Sequence, residues 1–97
     1  MMVRWTAEAL GALVAIIDYI EAENPAAAFA LGDRILTSTE TILADHPHAG
    51  RPGRPGRVEG TRELVVHPSY LVAYRVKGDE VQILTVRHAA RMWPSKF

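Results

Sequence analysis

The sequence contains no cysteine, which excludes disulfide bonds, thiolate catalysis and cysteine-ligated zinc sites. It also lacks a long apolar segment, because the run at residues 9–17 is too short to cross a bilayer and Asp18 ends it. The first residues have neither the basic start nor the apolar stretch of a signal peptide. We therefore expect a cytoplasmic protein that makes no contact with a membrane.

Neither charge sign dominates, since 11 basic and 11 acidic side chains give a formal net charge of zero. The charges are nevertheless segregated: residues 1–45 carry two basic and seven acidic side chains, whereas residues 46–97 carry nine basic and four acidic ones. This asymmetry indicates either two different binding surfaces or an ordinary difference between helix and strand surfaces. With 48% apolar residues, the chain is expected to fold as one domain over residues 1–97.

The first half of the chain predicts a short strand at Met2–Trp5 and then a helical hairpin. Thr6 is a suitable N-cap for the first helix, and Asn24-Pro25 ends that helix and begins a second one, which we expect at 25–44. Apolar or small residues recur at helical spacing in both helices. The predicted core positions are Leu10, Leu13, Val14, Ile17 and Ile20 in the first helix, and Ala28, Gly32, Ile35, Leu36, Thr39, Ile42 and Leu43 in the second.

The second half predicts three antiparallel strands at Thr61–His67, Tyr70–Lys77 and Glu80–His88, joined by tight turns. Alternation in the middle strand places Tyr70 and Tyr74 on the face that packs against the helices. The open face then carries Arg75 and, depending on register, Arg62 and Arg87. The predicted fold is α+β with the order β-α-α-β-β-β, a helical hairpin packed on a twisted antiparallel sheet.

The segment GRPGRPGR, at residues 50–57, joins the two halves. Its three arginines admit two interpretations, a nucleic-acid-binding arm or a linker between hairpin and sheet. Three charges are too few for strong binding to nucleic acid, because each phosphate contact is weak and screened by salt. We therefore expect a linker, and a loop without regular structure over residues 50–60.

The element order and several local strings resemble the RelE/ParE superfamily of bacterial toxins from type II toxin–antitoxin modules. The strings that carry this resemblance are VRWTAEAL, NPAAA, LADHPHAGRPGR, GTRELVV, YLVAYRV and VQILTVRHAARMWP. The resemblance implies one of two activities: RelE-like members cut messenger RNA in the ribosomal A site, whereas ParE-like members inhibit DNA gyrase. Both kinds are neutralised by a cognate antitoxin that wraps the toxin, so a hetero-oligomer with that antitoxin is implied.

At the positions that correspond to functional residues of RelE-like nucleases, this sequence departs from the nuclease pattern, which favours the ParE-like alternative. Arg62 and Arg91 fall where such nucleases carry basic residues, but Leu64 and Leu71 stand at two further basic positions and Phe97 at a terminal tyrosine. RNA cleavage needs groups that transfer protons as well as groups that stabilise phosphate charge. The residues thus favour a non-enzymatic toxin that binds DNA gyrase over a metal-independent, ribosome-dependent messenger RNA endonuclease, and a non-toxic binding module is a third possibility.

His88 is the main argument for the nuclease, because an imidazole suits acid–base chemistry near neutral pH. Its alternative role is structural, as a strand-end histidine bonded to backbone or packed on Trp93. If the chain is a nuclease, the expected catalytic residues are His88, Arg62 and Arg91. The expected target- or phosphate-binding residues are Arg62, Arg75, Arg87 and Arg91. No cofactor or metal is expected, and His46 and His48 are interpreted as a helix end.

Overall fold

The computed structural model describes residues 1–52 and 60–89. The elements are β1 (Met2–Trp5), α1 (Ala7–Glu21), α2 (Pro25–Asp45), β2 (Arg51–Pro52), β3 (Thr61–His67), β4 (Tyr70–Lys77) and β5 (Glu80–His88). The predicted order β-α-α-β-β-β is confirmed, with one short strand, β2, added between the hairpin and the sheet. No helix within the described residues is long and apolar enough to span a membrane.

Both predicted N-caps are present. The Thr6 hydroxyl accepts a hydrogen bond from the Ala9 N–H at 3.1 Å and donates to the Ile83 carbonyl at 2.7 Å, which ties the start of α1 to β5. The Asn24 side-chain oxygen accepts from the Ala27 N–H at 3.1 Å. These bonds satisfy backbone donors that the first turn of a helix leaves without partners.

The two helices approach closely where α2 has a glycine. A Cβ atom at Gly32 would lie only 2.7 Å from Ile17 Cδ1, so a larger residue would require the end of the Ile17 side chain to move. The predicted α2 core is confirmed at five positions, which are Ala28, Gly32, Ile35, Thr39 and Leu43. In α1, however, Leu10 and Val14 are exposed, and their predicted burial was wrong. The face of α1 that packs against the sheet contains Ala9 and Leu13, so Leu10 and Val14 point toward solvent.

The sheet has the strand order β1-β5-β4-β3-β2. Strands β3, β4 and β5 form the predicted antiparallel meander, but β1 pairs in parallel with β5, so the sheet is mixed. The expectation of no regular structure at 50–60 was wrong for Arg51 and Pro52, which pair with Glu63 and Arg62 of β3. Proline is tolerated there because an edge strand needs hydrogen bonds on one side only. Residues 53–59 lie outside the described part of the chain.

The pairing of β4 with β5 shifts by one residue in the middle of the two strands. Ala73 pairs with Thr85 whereas Tyr74 pairs with Ile83, so Leu84 is an extra residue on β5. Such a bulge reverses the side of the sheet to which the following residues point. It consequently determines the orientation of the last residues of β5.

Gly50 occupies a buried position between α2 and the sheet. Its N–H donates to the Tyr74 hydroxyl at 2.8 Å. A Cβ atom at this position would lie 2.7 Å from Tyr74 Cε1 and 2.8 Å from the carbonyl oxygen of Glu63. Glycine is therefore required here by close approach to a ring and to backbone, neither of which can move cheaply.

We predict that Gly50→Ala lowers the free energy of unfolding by about 1–3 kcal/mol, because the added methyl group overpacks this site. The control is Gly11→Ala, at an exposed position of α1 where a Cβ atom meets nothing within 4 Å. That substitution should stabilise the chain by about 0.5–1 kcal/mol through helix propensity. Urea unfolding of the purified variants measures both effects, and a Gly50→Ala variant as stable as the wild type would contradict the close contact.

Candidate functional site: an open sheet face and an adjoining pocket

The open face of the sheet, opposite the helices, carries a polar ladder across three strands. Arg4 Nη1 lies 3.6 Å from Glu80 Oε2, and Gln82 Nε2 donates to the same oxygen at 2.6 Å. Arg75 Nε donates to Gln82 Oε1 at 2.8 Å. The ladder fixes Arg75 on the open face through one donor, and a guanidinium has four more N–H groups with which it can bind an anionic group.

Arg62 lies on the other side of the sheet. Because β3 pairs Arg62 with Tyr74, both side chains point toward the helices. Arg62 Nη1 donates to the Gly50 carbonyl at 2.8 Å, while the Tyr74 hydroxyl accepts from the Gly50 N–H. Burial raises the pKa of Tyr74, against the opposing effects of the Gly50 hydrogen bond and the Arg62 charge, so the hydroxyl stays protonated at neutral pH. In this structure Arg62 and Tyr74 together hold the backbone at Gly50.

The last two residues of β5 point to opposite sides. The bulge at Leu84 places Val86 in the core and directs His88 to the same side, whereas Arg87 points to the open face and is exposed. The His88 ring lies 5.1 Å from the Tyr70 ring, centroid to centroid, in an edge-on arrangement. Trp93, the other packing partner considered for His88, lies outside the described residues.

A pocket of about 740 Å³ opens between the second half of α1 and the adjoining ends of β4 and β5. Aliphatic residues form one part of its wall, and aromatic residues, one histidine and one arginine form the other. Its lining residues are Ala15, Ile16, Tyr19, Tyr70, Val86, Arg87 and His88. The pocket thus combines apolar surface with donors that can bind a negatively charged or carbonyl oxygen.

His67 extends the aromatic cluster, with its ring centroid 5.7 Å from that of Tyr70. Its Nδ1 accepts a hydrogen bond from the Ser69 N–H at 3.0 Å, which requires that this nitrogen carry no proton. Burial, and to a smaller extent the charge of Arg34, lower the pKa of His67 below 6.5. His67 is therefore neutral at neutral pH, and its ring is bonded to the turn that follows β3.

The predicted cations lie apart. Arg62 faces the helices, and Arg75 and Arg87 lie on the open face. Arg87 pairs with Leu71, four residues from Arg75 along β4, so the two attachment points are about 13 Å apart at the rise of a strand. Leu71, between them, is only 1% exposed. Arg91 lies outside the described residues, and of the other three only Arg75 and Arg87 share a face of the sheet.

His46 and His48 follow α2 directly. The His46 N–H donates to the Ile42 carbonyl at 2.8 Å, so His46 is the C-cap of the helix. Among residues 1–52 and 60–89, no group of three or more His, Asp and Glu side chains is placed to hold a metal ion.

Sequence reasoning did not find the pairing of Tyr70 with His88 or the presence of Tyr19 in the pocket. The sequence contains a signal for the pairing of Tyr70 with His88, because the apolar positions of β5 change from the odd-numbered Val81 and Ile83 to the even-numbered Val86. A break in strict alternation of this kind indicates a bulge. No signal marks Tyr19, since an exposed aromatic residue on a helix is common and needs no explanation.

Comparisons with known proteins are consistent with this geometry. Residues 3–93 match the family model for the ParE toxin of the type II toxin–antitoxin system parDE. The putative toxin Y4kP of Sinorhizobium fredii is 45% identical over 93 residues, covering 95% of this chain and 92% of that protein. Toxin RelE2 of Caulobacter vibrioides is 41% identical over 88 residues, covering 91% and 94%. A structure of the chromosomal ParDE system from P. aeruginosa is similar, with a TM-score of 0.77, 31% identity and coverage of 91% and 95%.

The titration of His67 gives a testable prediction. Because its pKa is lower in the folded chain than the ordinary value of 6.5, protonation favours the unfolded chain. Neutral His67 makes its full contribution to stability at pH values above 6.5, and this contribution is lost as the pH falls through the pKa of His67 in the folded chain. We expect the wild type to lose more stability than His67→Asn between about pH 7.5 and about pH 5, since the asparagine oxygen accepts the Ser69 N–H without titrating. Urea unfolding at both pH values tests this, and equal losses would contradict it.

Proposed function

The chain belongs to the ParE toxin family of type II toxin–antitoxin systems, and we propose that it arrests growth by binding DNA gyrase, without catalysis, until a cognate antitoxin neutralises it. The observation that carries the proposal is the separation of Arg62, Arg75 and Arg87. Cleavage of RNA requires positive charge that converges on one phosphate together with a group that moves a proton. A surface with separated cations suits binding to a large partner instead.

Apolar residues at positions where RelE-like nucleases carry basic residues or a tyrosine support this proposal. Leu71 points to the same side of the sheet as Arg75 and Arg87, and at 1% exposure it offers almost no surface to a phosphate. Leu64 is partly buried and packs against the core cluster. Phe97 has no hydroxyl group that could transfer a proton. On this proposal Arg75 and Arg87, together with Arg91, contribute positive charge toward gyrase, and Arg62 stabilises the chain at Gly50.

The alternative function is a ribosome-dependent messenger RNA endonuclease, and two observations favour it. The relative from Caulobacter vibrioides, at 41% identity, carries the name Toxin RelE2. In addition, Tyr70, Arg87 and His88 line the same pocket. On this alternative His88 transfers the proton, and Arg62, Arg75, Arg87 and Arg91 bind phosphate.

The antitoxin is proposed from the same similarity. The related structure from P. aeruginosa is described as a chromosomal ParDE system, in which the toxin has its own antitoxin. We propose a hetero-oligomer of this chain with an antitoxin encoded by a neighbouring reading frame. The antitoxin should cover the helical hairpin and the edge of the sheet, with apolar side chains in grooves.

Expression of the chain without an antitoxin should stop growth, and the purified chain should inhibit DNA supercoiling by gyrase while leaving messenger RNA on translating ribosomes uncut. Both assays are to be run on one protein preparation, with the toxin–antitoxin complex as the inactive control. Cutting of RNA that is abolished by His88→Ala would establish the nuclease in place of the proposed function. Normal growth would instead indicate a non-toxic binding module.

Loss of charge on the open face should weaken gyrase inhibition. We expect Arg75→Gln and Arg87→Gln each to raise the concentration needed for half-inhibition by at least about tenfold, because a charge-assisted hydrogen bond is lost in each. Arg34→Gln is the matched control, since Arg34 is an exposed arginine on α2, away from the open face. Equal inhibition by the Arg75→Gln and Arg34→Gln variants, both with unchanged melting temperatures, would show that the open face does not bind gyrase.

A further inference from the structure

We propose that the pocket between α1, β4 and β5 is the anchor site for the antitoxin, which inserts one aliphatic or aromatic side chain there and places a carboxylate at Arg87. This inference rests on the antitoxin part of the proposed function and is independent of whether the toxin acts on gyrase or on the ribosome. It specifies where the antitoxin binds and which kinds of side chain it uses, neither of which follows from the fold alone.

The shape and lining of the pocket suit a large apolar side chain. Ala15, Ile16 and Val86 provide aliphatic wall, and Tyr70 provides a ring that His88 already contacts edge-on. Tyr19 lines the pocket although it is 79% exposed, so a bound group could cover much of its surface. Aromatic residues in pockets of this kind contribute a large share of binding energy at protein interfaces.

The charges around the pocket favour a peptide over nucleic acid. Arg87 is a lining cation, but α1 itself carries Glu8, Asp18 and Glu21 and no basic residue. A nucleic-acid strand brings a negative charge with every nucleotide and would be repelled by α1 beyond the pocket. A peptide can place one carboxylate at Arg87 and present neutral or basic residues to α1.

The position of Arg87 indicates that the bound peptide segment belongs to the antitoxin and not to the target. Arg87 borders the pocket and also belongs to the open face that we assign to the target. A segment anchored in the pocket with a carboxylate at Arg87 therefore competes with the target for the same guanidinium. Competition of this kind would neutralise the toxin without a change in its conformation.

The test compares two exposed aromatic residues of nearly equal exposure. Tyr19 lines the pocket and is 79% exposed, whereas Phe29 lies on α2, outside the pocket lining, and is 78% exposed. Neither truncation removes core packing, so both variants should fold. Ala15→Leu, at an exposed position of the pocket wall, provides a second pocket variant that fills the site instead of removing contact area.

Isothermal titration with the purified antitoxin from the adjoining reading frame should give a dissociation constant raised by at least about tenfold for Tyr19→Ala and for Ala15→Leu, and by less than about twofold for Phe29→Ala. Melting temperatures confirm that the variants are folded. Unchanged antitoxin binding by both pocket variants overturns the anchor site. The proposed function is tested separately, by growth arrest and antitoxin binding of the wild type. Retained antitoxin binding with weakened inhibition of the target also overturns it, because the pocket would then belong to the target interface.

Discussion

The one-residue shift between β4 and β5 determines which side of the sheet Arg87 and His88 occupy. Up to Ile83 the odd-numbered residues of β5 face the helices, and beyond the extra residue Leu84 the even-numbered ones do. Without the shift, His88 would point to the open face and Arg87 into the core side. With it, the imidazole lies beside Tyr70, and Arg87 points to the open face while also lining the pocket.

Two distinct surfaces follow from this arrangement. The open face carries Arg75 and Arg87 about 13 Å apart at the rise of a strand, with buried Leu71 between them. The pocket on the helix side collects the aromatic rings and the imidazole. Arg62 belongs to neither surface, since it bonds to the backbone of Gly50 beside Tyr74. Arg75 therefore lies on the side of the sheet opposite His88 and Tyr70, whereas Arg87 points to the open face and also lines the pocket that contains them.

Much of the fold could be predicted because local signals and tertiary packing agree. The caps at Thr6 and Asn24, the three strand bounds and the close approach at Gly32 all follow from residue chemistry that acts over a few positions. The exposure of Leu10 and Val14 could not be predicted, because the rotation of α1 depends on contacts with a sheet that is distant in sequence. The short strand at Arg51 and Pro52 depends likewise on pairing with β3, which overrides the preference of a Gly- and Pro-rich segment for a loop.

The candidate site was less predictable than the fold. The residue types were identified from the sequence, but the grouping of Tyr70, Arg87 and His88 depends on one bulge. Alternation alone does not determine which side of the sheet Arg62 and Arg87 occupy, because a shift of one residue exchanges the two faces of a strand. The break in the apolar pattern after Ile83 is the only local sign of that shift in β5.

Nuclear Overhauser effects from the His88 ring provide the most direct measurement of the separation between charge and proton-transferring groups. We predict contacts from the His88 ring protons to the ring protons of Tyr70, together with contacts from the Arg62 side chain to the Tyr74 ring. Contacts from His88 to the methyl groups of Leu71, on the open face, would contradict it. In that case the imidazole would lie on the face that carries Arg75, and the chain would have the arrangement expected of a nuclease.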